Sequence, residues 1–258
     1  MTHFIFFALT SFILGACLGS FYNVCIYRYI AGESIVAPRS HCPKCSHVLS
    51  WWENIPIISY LILRGRCLKC GEKISIKYLV VELISAIWAL GIYLKFGFSI
   101  PFFIFLLFGG IFIILSFIDL EIFILPDELT LPGSILAFLS APLIGVSFKL
   151  SFWGAVFGGG FFFLIQQGYK LIRGREGLGT GDIKLMFMIG ALLGITAIPF
   201  VVFVGSIMGL LGGLYYLKKQ NQTTQNPIPF GPFLCLAACL YMLIGKEVIL
   251  CYLGMLSK

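Results

Sequence analysis

The sequence predicts an all-α polytopic membrane protein of about eight transmembrane helices, with a cytoplasmic four-cysteine zinc-binding loop between helices 1 and 2. Three observations carry this expectation. Of 258 residues, 59% are hydrophobic and 11% charged, more apolar surface than a water-soluble domain of this length can cover. The apolar residues gather in stretches that approach membrane-spanning length. The basic residues crowd into particular intervals between them.

A bilayer core of roughly 30 Å takes about 20 apolar residues per helix. Such stretches lie near 4 to 27, 79 to 98, 100 to 118, 129 to 147, 151 to 171, 184 to 196, 198 to 217 and 230 to 255. The sixth is short, and a single kinked helix from 184 to 217 through Pro199 is the alternative, giving seven crossings. The first loop holds Arg28, Arg39, Lys44, Arg64, Arg66, Lys69, Lys73 and Lys77 against Glu33, Glu53 and Glu72, so the positive-inside bias places residues 28 to 78 in the cytoplasm. Eight crossings also keep Lys170, Arg173, Arg175, Lys184, Lys218 and Lys219 inside; seven export the last two. Eight is therefore preferred, with both chain ends outside. Topology accounts for the net charge of +7, and no nucleic-acid partner is expected.

The first segment lacks a basic n-region and a small-residue cleavage site, so it is expected to remain as a helix, packing through Gly15 and Gly19. Gly205, Gly209 and Gly213 repeat that small-residue spacing. The domain division that follows is 1–27 for the first helix, 28–78 for the zinc loop and 79–258 for a transmembrane catalytic domain.

Of nine cysteines, Cys42, Cys45, Cys67 and Cys70 form two Cys-x2-Cys pairs in a loop assigned to the reducing side, where disulfides are not expected. Four thiolates suit a closed tetrahedral zinc site that holds together a loop too small for its own core. His41 and His47 read as surface residues. Cys17, Cys25, Cys235, Cys239 and Cys251 read as small packing residues in membrane helices. Trp51 and Trp52 suit an anchor at the lipid interface.

Only three aspartates occur, Asp119, Asp127 and Asp182. Carboxylates are costly beside hydrocarbon and mark working sites there. Asp119 ends the third predicted helix and Asp182 opens the sixth, both on the cytoplasmic side. Two carboxylates brought close share one proton, so one accepts from water while the other donates to a scissile carbonyl. The pair therefore predicts an aspartyl protease at the membrane surface. Gly179, Gly181, Lys184 and Asp127 are expected around it as substrate-positioning residues. An extended run through Gly177, Gly179 and Gly181 would let substrate add as a strand and supply unusual torsions. Lys184 would favour one ionised carboxylate, and Asp127 also suits a cap for the fourth helix. Glu82, inside the second helix, needs a partner or a polar cavity.

These residues fall in ordered blocks: Gly19-Ser20-Phe21-Tyr22-Asn23-Val24 before Tyr27-Arg28, Cys42-Pro43-Lys44-Cys45 before Trp51 to Pro56, and Arg64-Gly65-Arg66-Cys67 leading to Cys70. They continue with Ile118-Asp119, Leu125-Pro126-Asp127, Gly179-Thr180-Gly181-Asp182-Ile183-Lys184, and Pro229-Phe230-Gly231-Pro232. The set resembles the bacterial type IV prepilin peptidases, also called prepilin leader peptidase/N-methyltransferases. The resemblance implies that Asp119 and Asp182 are the catalytic pair of a multi-pass inner-membrane enzyme. It implies cleavage of type IV prepilins or secretion pseudopilins after a glycine at the cytoplasmic face, then methylation of the new N-terminus from S-adenosylmethionine. Tyr22, where leucine is common, and Thr180 depart mildly from the pattern. The rival readings are a proton-coupled transporter, an intramembrane protease of the wider Gly-x-Gly-Asp class and a non-catalytic zinc-bearing scaffold.

Overall fold

A computed structural model describes residues 2–37, 39–174, 177–220, 229–245, 247 and 248. Among them every regular element is helical. The order is α1 (Thr2–Ala31), the short α2 (Ile58–Ile62), α3 (Ile76–Phe96), α4 (Ile100–Ile122), α5 (Asp127–Ser140), α6 (Phe148–Arg173), α7 (Thr180–Leu193), α8 (Ile198–Gln220) and α9 (Gly231–Leu240). A π-helical turn, Tyr241–Gly245, continues α9.

Five helices among the described residues, within α1, α3, α4, α6 and α8, are long and apolar enough to cross a membrane. The other three predicted segments are shorter where described. α5 and α7 have 14 residues each, about 21 Å at the α-helical rise, and α9 has 10. Arg175 and the stretch beyond 248 lie outside the described residues. The interval 184 to 217 is two helices. α7 stops at Gly194, whose φ of +79° breaks the helix. α8 begins after a 3₁₀ turn, with Pro199 in its first turn, where the missing N–H leaves no intrahelical bond unmade.

The chain divides into two compact units, Met1–Ile114 and Leu115–Lys258. In the first, α1 lies against α3 as the glycine spacing predicts. A Cβ on Gly15 would fall 2.6 Å from Ala89 Cβ, and one on Gly19 2.7 Å from Glu82 Cα, so only hydrogen lets the backbones come this near. On α4, Gly109 leaves room for the Trp88 indole and Gly110 for the Tyr22 ring. The Trp88 N–H donates to the Phe105 carbonyl at 3.0 Å. Tyr22, the departure noted in the sequence, thus occupies volume that a glycine vacates.

In the second unit α7 is the central element, with Leu185, Met186, Met188, Ile189 and Leu192 all buried. α6 meets it at Gly154 and Gly190, where a Cβ on Gly190 would lie 2.9 Å from the Ala155 nitrogen. The Ser151 hydroxyl donates to the Ala191 carbonyl beside this crossing. α5 packs on α7 through Gly133, placed against Met188. Gly205 and Gly209 of α8 receive Leu234 and Phe230.

Overpacking a filled crossing costs about 1–3 kcal/mol. Gly154→Ala, whose Cβ would fall 2.7 Å from the Ile195 nitrogen, is expected to lower the melting temperature in detergent. Gly160→Ala, with nothing within 4 Å, is expected to leave it unchanged. Differential scanning fluorimetry of the two variants checks the contrast.

Candidate active site and metal centre

Three segments of the second unit converge on a buried pair of carboxylates. Asp119 lies in the last turn of α4, which ends where Phe123 takes a φ of +56° and donates its N–H to the Asp119 carbonyl at 3.0 Å. The chain then turns through Leu125 to Pro126, which precedes α5. Asp182 lies in the first turn of α7, whose N-cap is Gly179. Both acids are under one-tenth exposed, and they lie within electrostatic reach of each other.

Each carboxylate accepts from a glycine amide. The Gly231 N–H, at the start of α9, points at Asp119, and the Gly179 N–H points at Asp182. Helix N-termini favour negative charge, so Gly179 and Gly231 bring two of them to the same place. Leu125 fills the space between. A Cβ on Gly181 would lie 2.9 Å from Leu125 Cβ, and one on Gly231 would lie 2.8 Å from Asp119 Oδ2 and 3.2 Å from Leu125 Cδ2.

The glycine segment differs from the expectation of an extended run. Gly181 is inside α7, and Gly179, with φ −68° and ψ 143°, has torsions any residue adopts. The need for glycine is steric at Gly181, against Leu125, and at Gly177, which lies on the Tyr169 ring. Gln166 of α6, buried, donates to the Leu178 carbonyl at 2.8 Å. Neither Gln166 nor Tyr169 was found from the sequence, because an isolated amide and ring on an apolar helix carry no spacing signal. Cys235, expected to be mere packing, is buried within electrostatic reach of both aspartates, with the Ser116 hydroxyl beside it.

Asp127 does not cap α5. Pro126 holds the cap position, and Asp127, one residue inside, receives Lys184 Nζ at 2.6 and 2.7 Å. Lys184 is therefore bonded to Asp127. This half-exposed pair fastens the start of α5 to the start of α7 beside Leu125.

In the first unit the four cysteines form two copies of one turn. Cys42 N–H donates to the His47 carbonyl and Ser46 N–H to the Cys42 carbonyl; Cys67 and Gly71 repeat this with Glu72 and Cys67. Ser46 and Gly71, at equivalent places, have φ of +54° and +70°. The backbone N–H groups of Cys45 and Lys44 bring the Cys42 thiol down to about 7, and those of Cys70 and Lys69 lower Cys67 likewise. All four Sγ atoms lie within 4.8 Å of one another, with Cys42 to Cys70 and Cys45 to Cys67 at 3.9 Å. Tetrahedral Zn–S bonds of about 2.3 Å imply sulfur–sulfur edges of ~3.8 Å, so the donor set fits zinc. Lys44 and Glu72 join the two turns at 2.8 Å.

Glu53 is buried, accepting from the Ser50 N–H at 2.8 Å and facing His47 Nε2 at 3.2 Å. Trp51 is exposed. Glu82 has its partners: it accepts from the Ile57 N–H at 2.7 Å and from the Ser20 hydroxyl.

Residues 106–214 match the model of the type IV leader peptidase family, a span that includes both aspartates and Leu125. A second model, the bacterial peptidase A24 N-terminal domain, matches residues 13–96, which include all four cysteines. The chain is 34% identical to a prepilin leader peptidase/N-methyltransferase of Stutzerimonas stutzeri over 96% of this chain and 94% of that one. This chain belongs to the type IV leader peptidase family. It is also 33% identical to the protein of that name from Pseudomonas aeruginosa over 98% of this chain and 95% of the relative. With the one from Myxococcus xanthus it shares 40% identity over 84% of this chain and 65% of the relative. No solved structure gives a significant match. Membership sets aside the transporter and scaffold readings.

The protein purified from cells is expected to carry about one zinc ion per chain. Cys45→Ser and Cys70→Ser are each expected to remove most of it and lower the melting temperature, because closed zinc sites contribute directly to folding. Metal analysis with thermal melting checks this.

Proposed function

We propose that this chain is a membrane aspartyl endopeptidase that removes the leader of type IV prepilins or pseudopilins after a glycine and then N-methylates the new N-terminus. The observation that carries the peptidase reading is the convergence of Asp119 and Asp182, buried and each facing a glycine N–H. One carboxylate takes a proton from a water molecule, whose oxygen adds to the scissile carbonyl carbon. The protonated partner gives its hydrogen to the carbonyl oxygen; the tetrahedral intermediate then collapses as the first carboxyl passes its acquired proton to the leaving nitrogen, breaking the C–N bond and freeing the amine of the mature protein. Leu125, Gly181 and Gly231 set the spacing of the pair, Gln166 fixes the loop before Asp182, and Asp127 with Lys184 holds the neighbouring helix starts together.

The proposal includes an eight-crossing topology, with residues 1–27 as first helix, 28–78 as cytoplasmic zinc loop and 79–258 as peptidase domain. On that topology the pair lies at the inner face of the bacterial plasma membrane, where a basic leader followed by a hydrophobic helix presents its junction. Glu121 and Glu128 are exposed near Asp119 and Asp127 in sequence and suit the basic leader. Zinc held by Cys42, Cys45, Cys67 and Cys70 supplies a cross-link. S-adenosylmethionine, when bound, supplies an electrophilic methyl group for the new amine.

Mass spectrometry of a prepilin incubated in detergent with wild type, Asp119→Asn and Asp182→Asn, with and without S-adenosylmethionine, tests both reactions. Wild type is expected to remove the leader and, with the donor, add one methyl group; each Asn variant is expected to cleave about 10²–10⁴-fold more slowly. Asn variants that cut at the wild-type rate overturn the aspartyl mechanism.

The glycines separate in the same assay. Gly181→Val, driven into Leu125, is expected to abolish cleavage. Gly179→Ala, whose Cβ would sit at an ordinary 3.5 Å from Asp182 Oδ2, is expected to keep most of it.

A further inference from the structure

Between the two cysteine pairs, from Trp51 to Leu63, Glu53 is the sole charged residue, and it is turned inward onto the Ser50 N–H and His47. The outer side of this segment is apolar and uncovered: Trp51 is 79% exposed, Leu61 62% and Ile62 69%. We propose that residues 51–63 form a foot that lies in the headgroup boundary of the chain's own bilayer, with Trp51, Ile58, Leu61 and Ile62 among the lipids. This contact does not depend on the reaction proposed above.

What identifies lipid as the occupant is the depth at which the segment is held. α3 has 21 residues, about 31 Å at the α-helical rise, and so fills a hydrocarbon core of roughly 30 Å. Lys77 and Lys95 stand near its two ends, where lysines reach the polar boundary. Glu82 comes five residues after Lys77, about 7.5 Å farther along the axis, and its carboxylate accepts the Ile57 N–H at 2.7 Å. The foot is therefore tied alongside the membrane span, inside its polar end. Interfacial helices bury their apolar faces about 5–10 Å into the boundary, the same interval. An apolar surface held at that level meets lipid, whereas above the headgroups it would meet water.

The local structure suits that place. Ser59, Tyr60 and Leu63 line a cavity beside α1 and α3, while Ile58, Leu61 and Ile62 are exposed, the amphipathic division of an interfacial segment. Backbone amides near hydrocarbon must be bonded within the protein, and here the Ser59 N–H donates to the Ile55 carbonyl, that of Leu61 to Ile57 and that of Leu63 to Ser59. Ile57 has a φ of +65°, an outlier for a β-branched side chain, and it is the residue whose amide Glu82 holds, so the tie fixes the turn from which α2 starts. Arg64 and Arg66, exposed where α2 ends, match anionic headgroups. Because the foot begins after Cys45 and ends before Cys67, the cysteine cluster pins both of its ends while the bilayer receives its middle.

Trp51 is a native reporter, read as the difference in emission between wild type and Trp51→Phe, each as the full chain in nanodiscs of phosphatidylethanolamine and phosphatidylglycerol. Lipids brominated near the head of the acyl chain are expected to lower its emission roughly twofold, and aqueous acrylamide is expected to leave it largely unquenched. Leu61→Trp in the Trp51→Phe background places a second reporter on α2, with the same result expected; Ile62→Trp takes its place if that variant does not fold. Quenching of both reporters by acrylamide and not by brominated lipid overturns the foot. So does quenching of Trp51 by lipid with the α2 reporter in water, which reduces the contact to a single anchoring tryptophan. Reporters reached by neither quencher mean that protein covers the face, a second copy of this chain included, and this too overturns the proposal.

Discussion

Two carboxylates brought together away from water share a proton, and the second unit is arranged around the one charge that remains. The compensation comes from backbone amides at two helix starts, Gly179 before α7 and Gly231 at the head of α9. Amides offered this way are fixed by the helices behind them, so their direction does not depend on a flexible side chain. The helices must then start close to one another. That requirement explains the concentration of glycine around the pair: Gly181 and Gly231 both yield to Leu125, and Gly154 and Gly190 let α6 and α7 approach until Gln166 reaches the loop at Leu178.

The first unit solves a different problem. Residues 39 to 75 contain few buried apolar side chains, and the cysteine turns replace a core. The polar bonds around them run outward in sequence: Glu53 ties Ser50 and His47, Glu82 ties Ile57 to α3, and Asn23 of α1 donates to the Tyr78 carbonyl at 2.9 Å. Through these the loop is attached to both long helices of its unit.

Much of this was readable in the residues. Apolar length identified the helices, because hydrocarbon leaves the backbone no alternative, and rarity of charge singled out Asp119 and Asp182. Cysteine spacing located the cluster. What was not readable depended on torsions and on contacts far apart in sequence. The break at Gly194 rests on a positive φ, which a glycine permits without requiring. Asp127 looked like a cap because the residue type fits one; its partner, Lys184, lies 57 positions away. The glycines before Asp182 suggested an extended strand, whereas Gly181 is short of a side chain because Leu125 stands there. The two cysteine turns repeat in their backbone bonds and positive φ, although their sequences share only the cysteines and the lysine ahead of the second of each pair.

That repetition bears on the order in which the molecule is made. Every thiol of the proposed zinc site lies between residues 42 and 70, after α1 and ahead of α3. Chains emerge from the ribosome N-terminus first, so on that proposal the four cysteines can be joined before the aspartate-bearing helices are synthesised. Zinc shortage would then act early, on a loop left unclosed in the nascent chain, ahead of either carboxylate.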